Sequence, residues 1–143
     1  MIVADTGALV ALIDADDRYH GYMRDLYERD PDRWVVPWAV LPEVDYLVSS
    51  HVGDEAARAF MADVAEGIYA IDWGLPADLA RAHDLRVKIG QGALSGAGLG
   101  LVDAVVIAIA ERRHSKIIVT LDLRHFGAVE IRGRPKLLPR DAD

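Results

Sequence analysis

Short apolar runs alternate with helical segments along this chain, and this alternation constrains the fold more than any other feature. The runs are rich in β-branched and aromatic residues and read as buried strands. They occur at Met1–Ala4, Trp34–Trp38, Ile68–Ile71 and Lys116–Thr120. Strands separated by helices pair in parallel through right-handed crossovers. The sequence therefore predicts an α/β fold, a three-layer Rossmann-like sandwich with a central parallel sheet of four to five strands flanked by helices.

The segments between these runs have the apolar spacing of helices and the boundary residues that helices favour. Helices are predicted at Thr6–Ile13, at Arg18–Asp30, from Pro42 to Gly53, from a cap at Asp54 to about Glu66, at Pro76–Lys88 and at Leu101–Arg113. A fifth strand, at an edge of the sheet, is expected at Ala128–Ile131. Because no repeat or linker interrupts the pattern, we expect residues 1–143 to form one domain.

Composition excludes several kinds of site. The chain has no cysteine, so disulfides, thiolate zinc sites and cysteine nucleophiles are excluded. The first residues lack the basic segment of a signal peptide. The longest apolar run, Ala104–Ala110, is far shorter than the roughly 18 residues of a membrane span. We therefore expect a cytoplasmic protein with no membrane partner.

Net charge by itself argues against a nucleic-acid partner, because the chain carries −7 at pH 7. The charge is unevenly distributed, however, and residues 112–143 hold half of the 16 basic residues. Binding of a polyanion therefore depends on local charge rather than on the total.

Four acidic residues occupy positions where an open α/β sheet binds its ligands, beyond the carboxyl ends of the strands. Asp5 follows the first predicted strand, and Asp122 follows the fourth. Glu43 and Asp103 lie in the first turns of predicted helices, which begin at the same edge. The topology therefore predicts that these four carboxylates converge.

Each of these acids also has an ordinary structural interpretation. Asp5 can cap a helix, Asp122 can be a turn residue, and Glu43 and Asp103 can be acids favoured by a helix dipole. Asp103 is nevertheless the one residue of Leu101–Ala110 that is not apolar. Burying an unpaired carboxylate on such a helix costs on the order of several kcal/mol of folding free energy. A cation partner for Asp103 is therefore expected.

Glu43 has a rival in Asp45, two positions further along the same predicted helix. The two side chains are about 200° apart around the helix axis and cannot reach one site. Periodicity barely separates them, and Glu43 is only slightly favoured because it lies nearer the helix start.

A group of carboxylates at one edge points to a divalent cation, because like charges repel unless a cation neutralises them. Mg²⁺ and Mn²⁺ prefer oxygen ligands, and the chain has no cysteine and no pair of histidines at metal-binding spacing. Such ions activate water and stabilise charge on a phosphate group. The residues therefore predict metal-dependent phosphoryl chemistry.

At these positions the sequence resembles the PIN-domain ribonucleases, most closely the VapC-type toxins of toxin–antitoxin modules. The matching segments are Val3–Leu9, Leu41–Leu47, Gly100–Ala104 and Thr120–Phe126. Their order and spacing agree with the family from residue 1 to about residue 131. The chain departs from the family at Gly92–Gly100, which carries almost no charge where relatives are often polar, and at Leu123, where many relatives have a further arginine.

The resemblance implies roles for particular residues. The catalytic, metal-coordinating acids would be Asp5, Glu43, Asp103 and Asp122. Asp5 and Asp103 would bind the ion directly, and the other two often through water. Thr6 and Thr120 match hydroxyl positions that orient these carboxylates or water.

The activity implied by the resemblance is Mg²⁺- or Mn²⁺-dependent hydrolysis of RNA, by the toxin of a type II toxin–antitoxin system. The implied partners are RNA, a cognate antitoxin protein and a second copy of the chain. Candidate contacts to the RNA backbone are Arg112, Arg113, Lys116 and Arg124, although any of them is as well explained as part of a solvated basic face. The alternatives are an inactive PIN module that binds RNA or protein, and a phosphatase or DNA nuclease with a similar acidic site.

Overall fold

The computed structural model describes residues 1–91 and 98–143. Within these residues, five parallel strands form one sheet in the order β3-β2-β1-β4-β5. The strands are Ile2–Ala4 (β1), Trp34–Pro37 (β2), Ala70–Asp72 (β3), Ile117–Val119 (β4) and Lys136–Leu138 (β5). Helices flank this sheet, which confirms the predicted α/β fold class.

The helices lie close to the predicted segments. They are Thr6–Ile13 (α1), His20–Arg29 (α2), Leu41–His51 (α3), Asp54–Ala65 (α4), Pro76–Gln91 (α5), Leu101–Arg112 (α6) and Leu123–Phe126 (α7). Asp54 is the first residue of α4, and Gly53 occupies the cap position that was expected for Asp54. A single turn connects α3 to α4. Gly53 lies in this turn with a φ of 137°, a backbone conformation that residues other than glycine rarely adopt.

Helix α6 is buried on nearly every side, which explains its apolar sequence. It packs against α5 and also contacts β1 and β2. Every residue from Ala104 to Ala110 is at most 2% exposed. None of the helices in the described parts of the chain is long and apolar enough to cross a membrane.

The expected strand at Ala128–Ile131 is wrong, because the fifth strand is Lys136–Leu138. Strand β5 pairs with β4, with Leu137 opposite Ile118, and it buries Leu137 and Leu138. Pro135 and Pro139 flank β5, and proline is uncommon within strands, which explains why the sequence pattern did not indicate this one. They are compatible with a short strand at the edge of a sheet, which is paired on one side only.

The central strands bring Asp5 and Thr120 together. The Asp5 main-chain N–H donates to Val119 O at 2.9 Å, which continues the pairing of β1 with β4 by one residue. The Thr120 N–H donates to Leu138 O at 3.0 Å on the other side. The carboxyl ends of these strands therefore form a continuous edge. Most of the glycine-rich segment noted in the sequence, residues 92–97, lies outside the described residues.

Candidate metal centre

Asp5 is a buried carboxylate between β1 and α1. Its residue is 4% exposed, and its Oδ2 accepts a hydrogen bond from Thr120 Oγ1 at 2.8 Å. Asp5 Oδ1 is also buried and has no hydrogen-bond partner in the described parts of the chain. Asp5 occupies the cap position of α1, but in the described residues its side chain does not form the hydrogen bond of a helix cap. Burial raises the pKa of Asp5 to about 6, and repulsion from Asp122 and Glu43 contributes to the rise.

Asp103 projects from the first turn of α6 with its side chain 19% exposed. Burial raises the pKa of Asp103 to about 7, and the nearby charges of Asp5 and Asp122 contribute to the rise. Asp103 therefore lies beside two other carboxylates, at the single polar position in the first turns of a buried helix.

Asp122 caps the short helix α7. Its Oδ1 accepts a hydrogen bond from the main-chain N–H of His125 at 3.2 Å. The Nδ1 atom of His125 lies 2.8 Å from Asp122 Oδ2 and 3.0 Å from Oδ1. Burial alone would raise the pKa of Asp122, but the contacts from His125 outweigh it and hold the pKa below its usual value.

Glu43 joins the site through α3 and a threonine of α1. Thr6 Oγ1 donates a hydrogen bond to Glu43 Oε1 at 2.7 Å, which links the start of α1 to the first turn of α3. Glu43 and Asp45 are both exposed to solvent, so the hydrogen bond from Thr6 is what separates them. The structure therefore brings Glu43, and not Asp45, into contact with the residue that follows Asp5.

The two threonines each hold one of these acids in place. Thr6 donates to Glu43, and Thr120 donates to Asp5. Thr120 Oγ1 also accepts a hydrogen bond from the main-chain N–H of Asp122 at 3.0 Å. A single hydroxyl group thus connects Asp5 and Asp122 at the ends of β1 and β4.

His125 is part of this site, although the sequence reasoning did not select it. Its Nδ1 lies 3.9 Å from Asp103 Oδ2, besides the close contact with Asp122. One ligand atom from each of Asp103, Asp122 and His125 can be chosen so that all lie within 4.8 Å of one another. The available signal was the spacing of His125 three positions after Asp122, which places both on one side of a helical turn.

The donor atoms at this edge fit a hard divalent cation. They are carboxylate oxygens with one imidazole nitrogen nearby, and Asp5 Oδ1 is buried with no hydrogen-bond partner among the described residues. In residues 1–91 and 98–143, no lysine or arginine forms an ion pair with any of the four acids. A cation would relieve the repulsion that raises the pKa values of Asp5 and Asp103.

Arg112 and Arg113 are located away from these acids. Arg112 follows Asp103 by nine positions, which is about 13 Å along the axis of α6. Its guanidinium donates to Asp72 at 2.7 and 2.8 Å and to Asp78 at 2.8 and 3.1 Å. Arg113 also donates to Asp72. Both arginines therefore stabilise buried acids of the fold, and their contact with RNA stays a prediction.

The other two candidate RNA contacts lie at different ends of β4. Lys116 directly precedes this strand and is exposed, so the strand separates it from Asp122. Arg124 is exposed on α7, two positions after Asp122. Of the four basic residues expected to contact RNA, Arg124 is the one that lies beside the acids.

Comparison with known proteins places the chain in a family. The PIN domain family matches residues 2–131. Ribonuclease VapC26 of Mycobacterium tuberculosis is 30% identical over 128 residues, which cover 90% of this chain and 91% of that protein.

Solved structures share the fold. VapC20 of Mycobacterium tuberculosis, a Sarcin-Ricin loop cleaving toxin, superposes with a TM-score of 0.72 and 22% identity over 82% of this chain and 87% of its own. VapBC2 from Rickettsia felis, solved bound to a DNA fragment from its promoter, gives a TM-score of 0.69 and 19% identity over 96% of this chain and 97% of its own. With the family match over most of its length, the chain belongs to the PIN domain family and is a relative of the VapC ribonucleases.

Proposed function

We propose that this chain is a Mg²⁺- or Mn²⁺-dependent endoribonuclease that hydrolyses RNA phosphodiester bonds and acts as the toxin of a type II toxin–antitoxin system. The observation that carries the proposal is the buried Asp5 Oδ1, which has no partner in the described residues and lies in the field of the other three acids. The relationship to VapC26, which is named a ribonuclease, supports RNA as the substrate.

Asp5 and Asp103 are direct ligands in this proposal, and Glu43 and Asp122 complete the metal-coordinating group, often through water. The burial of Asp5 and Asp103 and the repulsion from neighbouring carboxylates support these roles, because a cation stabilises the charged form of both aspartates. A divalent ion bound here supplies Lewis-acid stabilisation of charge on the phosphate and lowers the pKa of a water molecule. Thr120 holds the Asp5 carboxylate in one orientation, and Thr6 does the same for Glu43.

The substrate would approach the exposed side of this edge. Arg124 is exposed beside Asp122, where a guanidinium can contact a phosphate of the RNA backbone. Among the described residues no lysine or arginine forms an ion pair with the four acids, which supports a site where bound ions neutralise most of the charge on the scissile phosphate.

The partners in the proposal are a cognate antitoxin protein and a second copy of the chain, and the location is the cytoplasm. VapBC from Salmonella typhimurium, solved bound to DNA, shares the fold with a TM-score of 0.69 and 18% identity. Together with VapBC2 from Rickettsia felis, it supports an antitoxin as partner.

The catalytic proposal is tested by replacing single acids with amides. Asp5→Asn and Asp103→Asn should each lower the rate of RNA cleavage at least about 100-fold with Mg²⁺ or Mn²⁺, because removing one charged group from a metal site removes transition-state stabilisation. Far-ultraviolet circular dichroism should remain that of the parent chain. Glu43→Gln and Asp45→Asn form a matched pair on α3, and only the first should reduce cleavage.

Two results would reject this mechanism: cleavage that persists in chelator, or cleavage that survives either aspartate substitution. Assays with single-stranded DNA and with a phosphomonoester separate the alternatives. Faster hydrolysis of either than of RNA would favour a DNA nuclease or a phosphatase. RNA binding without any cleavage would favour an inactive module.

The toxin role is tested in cells. Expression of the chain alone should arrest growth, and expression of Asp5→Asn at the same level should not. A small reading frame beside the gene should encode a protein that restores growth. Normal growth with active, soluble enzyme present would reject the toxin role and leave the nuclease proposal standing.

A further inference from the structure

His125 places a ring nitrogen among the carboxylates of the candidate metal centre. Its Nδ1 lies 2.8 and 3.0 Å from the two oxygens of Asp122 and 3.9 Å from Asp103 Oδ2. The side chain is 26% exposed, so its ring is largely covered. Nδ1 therefore lies between two acids on different elements, α7 and α6.

These distances match the separations of ligands around one ion. Around a six-coordinate ion, each ligand atom lies about 2.1 to 2.2 Å from the metal. Adjacent ligand atoms are then about 3 Å apart, and opposite ones about 4.3 Å apart. The ligand atoms of Asp103, Asp122 and His125 all lie within 4.8 Å of one another. One ion can thus contact all three residues with small movements of their side chains.

A main-chain hydrogen bond holds the Asp122 carboxylate beside His125. The His125 N–H donates to Asp122 Oδ1, so α7 holds the ring and this carboxylate on the same turn. The buried, unpartnered Asp5 Oδ1 is an independent sign that the edge is built to hold a cation. Asp5 interacts electrostatically with Asp103 and Asp122, which places it in the same group.

We propose that His125 is a specificity-determining residue of the metal centre: its Nδ1 binds the ion together with Asp103 and Asp122, and this nitrogen favours Mn²⁺ over Mg²⁺. The inference rests on the proposed function, because it requires a divalent ion at the acids. Mg²⁺ takes oxygen ligands almost exclusively, whereas first-row transition ions accept imidazole nitrogen. A site of four carboxylates alone would have no such reason to prefer Mn²⁺.

The competing role for His125 is structural. A protonated Nδ1 donates a hydrogen bond to Asp122, and this contact alone would orient the carboxylate. His125→Asn separates the two roles, since an asparagine amide can donate a similar hydrogen bond to Asp122 but offers no imidazole nitrogen to a metal. His83→Asn, at an exposed position of α5, is the matched control.

The experiment measures metal binding by the full-length protein, with Mn²⁺ and Mg²⁺ as the probes. Calorimetric titration gives the dissociation constant of each ion for the parent chain, His125→Asn, His83→Asn and Asp103→Asn. We expect His125→Asn to weaken Mn²⁺ binding about tenfold or more and Mg²⁺ binding much less, on the scale of a lost ligand contact. His83→Asn should match the parent.

Electron spin-echo envelope modulation spectroscopy of bound Mn²⁺ detects directly whether a nitrogen such as His125 Nδ1 coordinates the ion. The parent chain and His83→Asn should show modulation from a coordinated ¹⁴N nucleus, and His125→Asn should lack it. Circular dichroism and thermal melting confirm that each variant is folded.

Three outcomes overturn the proposal. Bound Mn²⁺ without ¹⁴N modulation in the parent chain, or equal weakening of Mn²⁺ and Mg²⁺ binding in His125→Asn, would reject the nitrogen ligand while leaving the metal centre intact. Failure of the parent chain to bind either ion would reject the metal centre itself. In the first two outcomes the parent chain still binds the ions and Asp103→Asn loses them, whereas in the third the parent chain binds neither ion.

Discussion

Asp5 and Asp103 carry charges in surroundings that disfavour them. Burial is the largest cause of the raised pKa of each, to about 6 for Asp5 and about 7 for Asp103, and neighbouring carboxylates add to it. Both groups therefore make the metal-free protein less stable when they are ionised. This is the stability cost expected of a site built for charge rather than for packing.

The free energy of unfolding of the metal-free protein should decrease as pH rises from 5 to 7. The pKa of Asp5 is raised from 3.8 to about 6 in the folded chain, so the folded state binds more protons than the unfolded state between these values. The free-energy cost of ionising the buried Asp5 is absent below about pH 4. It grows as the pH rises between the unfolded and folded pKa values and levels off above about pH 6. Asp5 alone should contribute a loss of about 1 kcal/mol between pH 5 and 7, with a further loss from Asp103. Urea unfolding in chelator measures this difference.

The matched control is the double variant Asp5→Asn/Asp103→Asn, whose stability should be nearly constant over the same range. The acids with lowered pKa values, including Asp72 and Glu111, act in the opposite direction but only at more acidic pH. An equal slope in the double variant would assign the pH dependence to other groups.

At the scale of elements, α6 performs two tasks at its two ends. Its first turn carries Asp103 to the candidate metal centre. Its last turn carries Arg112, which binds the buried Asp72 of β3 and the buried Asp78 of α5. The apolar residues between them lie in the core, so the position of Asp103 depends on how the far end of α6 is held.

Arg112→Ala should destabilise the protein by about 3 kcal/mol, because it removes the arginine that binds the buried Asp78 and leaves the buried Asp72 with Arg113 alone. RNA affinity of the folded variant should be unchanged. Arg124→Ala should do the reverse, with a stability change below about 0.5 kcal/mol and weaker RNA binding. Urea unfolding and fluorescence anisotropy with RNA, in the Asp103→Asn background that prevents cleavage, measure both effects.

Comparing Arg112→Ala with Arg124→Ala also decides whether RNA binds at the last turn of α6 or at α7 beside the acids. Weaker RNA binding in Arg112→Ala, without loss of stability, would return Arg112 to the RNA-binding surface. Unchanged RNA affinity in Arg124→Ala, together with a normal salt dependence, would remove α7 from that surface.

At the scale of the whole molecule, the net charge of −7 reflects where the acids are placed. Four of them lie at one edge of the sheet without any arginine or lysine ion pair among the described residues. Others, such as Asp72 and Glu111, are paired with arginines and stabilise the fold. Total charge therefore says little about whether this protein binds a polyanion, and the distribution of paired and unpaired acids says more.

Mg²⁺ or Mn²⁺ should raise the melting temperature, because an ion that binds only the folded chain stabilises it by mass action. At 100 times the dissociation constant, the gain is about 2.7 kcal/mol. Excess chelator should reverse the shift, and Asp5→Asn/Asp103→Asn should show none. Differential scanning calorimetry at pH 7 measures it, and an equal shift in the double variant would place the bound ion elsewhere.

The sequence by itself determined the parallel α/β fold, the bounds of α1 and the positions of the four acids at strand ends and helix starts. These features depend on local patterns: runs of β-branched residues, helical periodicity and single polar positions such as Asp103 within an apolar helix. Physical chemistry local to each segment was enough to define them, and the topology rules for parallel sheets then placed them at one edge.

Only the tertiary structure decided which residues meet. It located the fifth strand at Lys136–Leu138, brought Glu43 rather than Asp45 to Thr6, committed Arg112 to Asp72 and Asp78, and set His125 among the acids. Each of these outcomes depends on contacts between residues far apart in the sequence or on the direction in which one turn packs. Local periodicity carries no information about such contacts, because it specifies the face of an element and not its neighbour.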